Sequence, residues 1–250
     1  MKVRVKFSKQ GIMKFIGHLD VMRYFQKAIR RAGIDIAYTE GLSPHMIMSF
    51  ASPLGVGLTS DAEYMDIEIR TPIPSEDAIE SLNRVSAEGI TVTGFYRIPE
   101  NRANKAMTLV AAADYTLRFR SGHEPKTDWQ SGISHFFALK EITVMKKTKK
   151  SEKEVDIRPM IYEMHVNAGT VFFRLASGSA ANLKPELVMD TYLKTLGIEP
   201  DPFAYEINRC EIYADTGTQQ KRNLVPLSAL GVSITEEDCP GYGQSAKEFT

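Results

Sequence analysis

Cysteine is scarce in this chain: its 250 residues hold two, Cys210 and Cys239. No CxxC or Cys/His spacing surrounds them, which excludes the usual zinc sites, and no CxxxCxxC supplies a protein-held iron–sulfur cluster. So few thiols fit a reducing compartment. Long apolar runs are also missing. No stretch approaches the ~18 residues that a membrane span needs, and the opening MKVRVKF alternates charged and apolar residues where a signal peptide would be continuously apolar. These absences predict a cytoplasmic protein with no membrane partner. A phosphate loop, a dinucleotide fingerprint, a nucleophile elbow and a metal cluster are all lacking, so nothing points to a small-molecule enzyme, and no cofactor or metal is expected to be bound by this chain. Net charge is absent too, with 31 Lys+Arg against 31 Asp+Glu. What is present is ordinary: 43% hydrophobic and 25% charged residues, a globular composition with room for one to two domains.

The neutrality is a cancellation. Residues 1–31 carry nine basic residues (Lys2, Arg4, Lys6, Lys9, Lys14, Arg23, Lys27, Arg30 and Arg31) and one acid, Asp20, a net of +8. Residues 32–100 carry three Arg against eleven acids, a net of −8, and the remainder is balanced at nineteen of each sign. Two readings stand: a solvated charged surface, or a basic face for an anionic partner.

Periodicity gives the order of elements. Val3, Val5 and Phe7 alternate with charged residues as a half-buried strand. Asp20 is placed as the N-cap of a helix on which Met22, Phe25, Ile29 and Ala32 form the apolar side and Gly33 the stop. Arg23, Lys27 and Arg30 stand at i, i+4, i+7 on one face of that helix. After the turn-rich Gly41-Leu42-Ser43-Pro44-His45 come a strand from Met46 to Ala51, a second over Met65–Ile69, a helix capped by Ser75, and a closing strand through Ile90, Val92 and Tyr96. This βαββαβ order predicts a ferredoxin-like unit over residues 1–98. A connector over 99–113 leads to a second unit of the same type over 114–215. There Tyr115–Phe119 is a strand, Trp129–Phe137 a helix, Thr170–Leu175 one arm of a hairpin and Pro185–Leu196 a helix, and one strand is extra. Residues 216–250 read as a loosely packed arm or tail. The fold class is therefore α+β, two tandem ferredoxin-like units with antiparallel sheets.

Several stretches together resemble the radical SAM-linked protein family. They are FIGHLDVMRYFQKAIRRAG, the loop SPH, SFASPLGVG and, later, DIRPMI, LASGSAANLKPELV and EINRCEIYA. The resemblance runs over residues 1 to about 215. Proteins of that family carry a domain of unknown function fused to, or encoded beside, radical SAM proteins of the B12-binding type, so the resemblance implies an accessory role beside such an enzyme. Gly17 stands where Ser usually precedes HLD, and Met46-Ile47 stand where Pro-Lys usually follows PH. The second departure removes a cation from that loop. At the level of architecture, tandem ferredoxin-like domains with a His after the first strand are similar to the CRISPR RNA-processing endoribonucleases.

The candidate site residues for RNA or a partner are His18, Asp20, Arg23, Lys27, Arg30, Arg31, His45 and Arg158. Several cations on one helix face are what phosphate recognition needs. His18 either orders the turn before the helix, contacts a bound RNA or partner, or serves as a general acid or base. His45 lies in a loop fit for a substrate or for a plain turn. Asp156 and Arg158 share a strand face beside a Lys-rich turn (Lys146, Lys147, Lys149, Lys150, Lys153) that either contacts RNA backbone or solubilises a hairpin. The expectation is an accessory protein of a radical SAM enzyme that binds tRNA or rRNA through the basic helix. The alternatives are a protein–protein adaptor for that enzyme, and a metal-independent ribonuclease-like protein using His18.

Overall fold

A computed structural model describes residues 1–101, 104–147, 152–218 and 221–242. The chain is a mixed α+β protein that separates into two compact units, Met1–Val110 with the segment from Ile212 onward, and Ala111–Glu211. Its strands are β1 (Lys2–Lys9), β2 (Met48–Phe50), β3 (Thr59–Glu68), β4 (Ile90–Arg97), β5 (Val110–Phe119), β6 (Thr143–Lys147), β7 (Glu152–Asp156), β8 (Ile161–Asn167), β9 (Thr170–Ala176), β10 (Tyr205–Asp215), β11 (Leu224–Pro226) and β12 (Val232–Ser233). Its α-helices are α1 (His18–Arg31), α2 (Ser75–Arg84), α3 (Ala106–Leu109), α4 (Ile133–Ala138) and α5 (Pro185–Thr195).

In the first unit the strands stand in the order β12-β4-β1-β3, with β2 also paired to β3, and these pairs are antiparallel. The register sets Val5 beside Met65 and Phe95, so strand parity decides which face each residue joins. Val3, Val5 and Phe7 face one way and pack with Val21, Phe25 and Ile29 of α1 and with Ala78 and Leu82 of α2. The opposite face is covered as well: Ala62 and Tyr64 of β3 cluster with Ala106, Val110, Ile212 and Leu227. Arg4 points to that side and is fully buried. Its guanidinium donates to both oxygens of Asp66, at 2.8 and 3.1 Å, to the Leu227 carbonyl at 3.1 Å and to the Asn104 carbonyl at 2.7 Å. Asp66 also accepts from the Ala106 amide at 2.6 Å.

The second unit builds its sheet from β5, β9 and β8, with the part of β10 up to Glu211 next to β5 in the strand order. The β8–β9 hairpin turns at Ala168 and Gly169, whose φ values of 47° and 76° suit the right-handed twist of the two strands. Strands β6 and β7 form a separate two-stranded ribbon, and Lys146, Lys147 and Lys153, expected in a turn, lie on its strands.

Three sequence expectations need correction. The first helix starts at His18 with Gly17 as its N-cap, so Asp20 lies inside the first turn and caps nothing. Its charge still favours the positive end of the helix. Ser75 is not a cap either: Pro74 holds that position, and the buried Ser75 hydroxyl donates to the Phe95 carbonyl and accepts from the Ile234 amide at 2.8 Å. Ile234 comes from the stretch expected to be a loose tail. The described part of that stretch instead returns to the first unit: β12 extends the sheet beyond β4, and Leu227, Ile234 and Cys239 are buried. Weak periodicity concealed this because short strands and 3-10 turns bury single residues and no continuous face. Among smaller differences, β3 begins at Thr59 and not near Met65, because both of its faces are covered and no alternation marks its start. The helix expected over Trp129–Phe137 is confined to Ile133–Ala138.

Candidate functional site

Helix α1 is amphipathic because Val21, Phe25, Ala28 and Ile29 recur at helical spacing and are buried, which leaves the remaining sides to polar residues. Arg23, Lys27, Arg30 and Arg31 are all exposed. Arg23 makes an ion pair with Asp20 at 3.4 Å, open to solvent on both sides, and Arg31 donates to the Val85 carbonyl at 2.9 Å. Among the described residues, the side chains of Lys27 and Arg30 have no hydrogen bond or ion pair. Not all of the +8 over residues 1–31 reaches the surface. Arg4 and Lys9 are buried, and Lys2 donates to the Glu100 carbonyl at 2.5 Å. The charged face is that of α1.

His18 occupies the first position of α1. Its ring meets Phe50 edge-on at 5.0 Å, and it borders a cavity of about 10 Å³ shared with Lys9, Glu63 and Leu54. Lys9 is 2% exposed and donates to the Ile16 carbonyl at 3.0 Å; Glu63 is 5% exposed. The polar side chains of His18, Lys9 and Glu63 around a cavity about the size of one water can hold an ordered water. Sequence reading passed over Lys9 and Glu63, yet a signal was there. Lys9 continues the inward parity of Val3, Val5 and Phe7, and Glu63 shares the parity of Met65 and Ile67.

His45 lies elsewhere in the same unit. Its Nδ1 is 3.1 Å from the Thr39 hydroxyl oxygen, which also accepts from the His45 amide at 3.1 Å. The ring lines a groove of about 210 Å³. Arg158 does not join either place. It belongs to the second unit, where its Nε donates to the Leu139 carbonyl at 3.1 Å, its Nη1 to the Ile161 carbonyl at 2.9 Å, and its guanidinium covers the Phe137 ring at 4.3 Å. It opens the 3-10 turn Arg158–Met160 and is not on a strand face with Asp156, and Asp156 accepts from its backbone amide at 2.9 Å. These bonds commit Arg158 to holding its own turn. Lys149 and Lys150 of the basic hairpin lie outside the described residues. The structure thus brings His18, Asp20, Arg23, Lys27, Arg30 and Arg31 onto one helix, sets His45 in a groove, and leaves Arg158 apart. No group of three or more His, Cys, Asp or Glu that could hold a metal ion occurs among the described residues, and no described helix is long and apolar enough to cross a membrane.

The molecule is thus defined as a mixed α+β protein with a cationic helix on a largely antiparallel framework. Residues 2–185 match DUF2344, described as an uncharacterized protein conserved in bacteria, and the chain belongs to that family. No curated protein matches it. Among solved structures, a chain from the crystal structure of a Cbf5–Nop10–Gar1 complex is similar at 11% identity and a TM-score of 0.42. That match covers 84% of this chain and 48% of the other, so this chain spans about half the length of the structure it matches.

Proposed function

We propose that this protein is a cytoplasmic accessory component of a radical SAM enzyme and that it binds RNA, a tRNA or an rRNA, through the exposed face of α1. The observation that carries the reading is the placement of Arg23, Lys27, Arg30 and Arg31 together in solvent with Asp20 as the one acid on their helix. Phosphates are held by such arrays through counterion release, with little demand on sequence. The radical SAM association rests on the sequence resemblance. The strand order β4-β1-β3-β2 supports reading the first unit as ferredoxin-like, and β10-β5-β9-β8 supports the same reading of the second. Each is a rigid sheet suited to present a helix face.

The test is RNA binding by the full chain over a range of salt concentrations, with the triple variant Arg23→Glu/Arg30→Glu/Arg31→Glu alongside. Binding should weaken with salt, and the variant should lose it, the salt slope falling by about one for each phosphate contact removed. Unchanged binding in the triple variant overturns the reading. A second reading, a protein–protein adaptor for the same enzyme, is favoured by the exposed apolar residues Ile12, Phe15, Leu19 and Val56, which are 59–76% exposed. Co-purification with the enzyme and no RNA shift would select it. The ribonuclease-like alternative requires His18-dependent cleavage that leaves a cyclic phosphate.

A further inference from the structure

Apolar side chains stand in solvent where β1 hands over to α1. Residues Gly11–Phe15 form a 3-10 turn between them. Side chains three apart in such a turn eclipse, so Ile12 and Phe15 share a side. Both are exposed, Phe15 to 64%. The Gly57 amide donates to the Lys14 carbonyl at 2.7 Å and brings the exposed Val56 to the same turn. Leu19, also exposed, follows Phe15 by four residues, a span of at most ~14 Å. The intervening Met13 and Ile16 pack against the core of the unit, and these four are left outside it.

The charges around this corner are mostly positive. The Lys14 ammonium lies over the Phe15 ring at 5.3 Å. Leu19, Arg23, Lys27 and Arg30 stand at i, i+4, i+8 and i+11, so the apolar corner opens onto the cationic stripe of α1. Two acids are close by, and both are engaged. Asp20 pairs with Arg23 at 3.4 Å, and Asp61 accepts from Gln10 Nε2 at 2.7 Å. Among the described residues, the side chains of Lys14, Lys27 and Arg30 have no hydrogen bond or ion pair.

An exposed aromatic ring at the head of a row of cations suits a chain that alternates flat apolar groups with anions. We infer that this corner stacks an unpaired base of an RNA whose backbone runs along α1, the base lying against Phe15 and its phosphates meeting Lys14 and Arg23. Stacking of this kind accepts any base, because every base has a π-face, and the cations beside the ring hold the backbone. An uncharged apolar protein surface would cover the four side chains but would also desolvate Lys14 and Arg23 without pairing them. This inference rests on the RNA reading of α1 and narrows it: the bound RNA is single-stranded, or looped, where it crosses the start of the helix.

The experiment compares three polyanions on the full chain: a short single-stranded oligoadenylate, a blunt RNA duplex and inorganic polyphosphate. Phe15→Ala should weaken binding of the single strand about tenfold and leave its salt slope unchanged, since no cation is removed. The duplex and polyphosphate, which offer no open base, should bind this variant as they bind the parent. Phe15→Leu keeps apolar bulk without the ring and should lose nearly as much for the single strand. Phe15→Trp should keep the affinity, and the emission of its new indole should be quenched by the single strand and by neither of the other ligands. Trp129, buried in the other unit, supplies a constant background. The two readings fail separately. A parent that binds none of the three polyanions removes the RNA reading and this inference together, whereas a parent that binds the single strand no better than Phe15→Ala or Phe15→Leu does removes this inference alone. Equal losses on all three ligands would make Phe15 a structural residue and overturn it as well. Self-association of the parent that Phe15→Ala abolishes, with affinity for the single strand unchanged, would give the corner to a second copy of the chain and overturn it too.

Discussion

Strand β1 and helix α1 each carry four cations. In β1, Arg4 and Lys9 are buried, Lys2 is bound to a carbonyl, and Lys6 lies over the Tyr64 ring at 5.6 Å. In α1, Arg23, Lys27, Arg30 and Arg31 are all in solvent. The difference comes from geometry. A strand in the middle of a sheet covered on both faces has no outward side, so every residue along it meets protein. A surface helix buries one stripe and frees the rest. A tally of charge along the sequence therefore does not measure surface potential. The same guanidinium is a structural strut in β1 and a candidate phosphate contact in α1.

The sharpest way to break that comparison is to remove one cation from each element. Arg4→Ala leaves Asp66 buried and charged and strips hydrogen bonds from Leu227 and Asn104, so a loss of about 3–5 kcal/mol is expected. Arg30→Ala should change stability by no more than about 0.5 kcal/mol. Urea denaturation of the two variants decides the matter, and equal losses would show that α1 is as structurally committed as β1. The double variant Arg4→Met/Asp66→Leu sharpens it. Replacing both partners by apolar groups should recover most of what Arg4→Ala loses, because the penalty lies in stranding a charge.

How much of this was visible beforehand follows the same divide. The α1 stripe was legible because helical spacing alone places Arg23, Lys27 and Arg30 on one face. The hairpin at Ala168-Gly169 and the Pro185 helix start were legible because turn and cap chemistry is local. The burial of Arg4 was not, since Asp66, Asn104 and Leu227 lie 62, 100 and 223 residues away in the chain. The groove beside His45 is made by segments that share no periodic signal. The binding of the tail was hidden for the same reason, as Ser75 reads locally as a cap and finds its partner in Ile234. Arg158 misled because a DIRP stretch next to lysines looks like a binding edge, whereas its guanidinium is taken up by the Leu139 and Ile161 carbonyls.

The Ser75 latch gives an intermediate effect. Ser75→Ala removes the hydroxyl that joins the Phe95 carbonyl to the Ile234 amide in a buried setting, and a cost of about 1–3 kcal/mol is expected. Cys239 reports on it directly. Its thiol is buried, and that burial pushes its pKa up, so it should react slowly with iodoacetamide in the parent protein. In Ser75→Ala its alkylation should quicken while the half-buried Cys210, in the other unit, keeps its rate. Equal acceleration at both thiols would mean general loosening and no latch.

A smaller, pH-dependent contribution sits in the same segment. The Thr235 amide donates to Asp238 at 3.0 Å, which holds that carboxyl below the ordinary carboxylate value, and Arg97 pairs with it at 3.0 Å. Because the folded value is depressed, the stabilisation is present above the unfolded value and disappears as pH falls through the folded one. The parent should melt slightly above Asp238→Asn at neutral pH. The gap should close on acidification, and a gap that widened in acid would reverse the assignment.

The smallest effect tests the start of α1. Gly17 is the N-cap, with φ −78° and ψ 168°, a conformation open to any residue, and it makes no side-chain cap. A Cβ added there would meet nothing nearer than an Asp20 oxygen at 3.9 Å. Gly17→Ser should therefore place a hydroxyl where it accepts from an amide of the first turn, with Asp20 already at the third helical position to complete the reciprocal arrangement. The gain over Gly is a few tenths of a kcal/mol, read as a small rise in melting temperature. Gly17→Ala separates the cap from the backbone. It restricts the unfolded chain as Ser does but supplies no acceptor, so it should fall below Ser. If Ala matched Ser, the stabilisation would belong to the lost freedom of glycine, and the first turn of α1 would owe nothing to a cap.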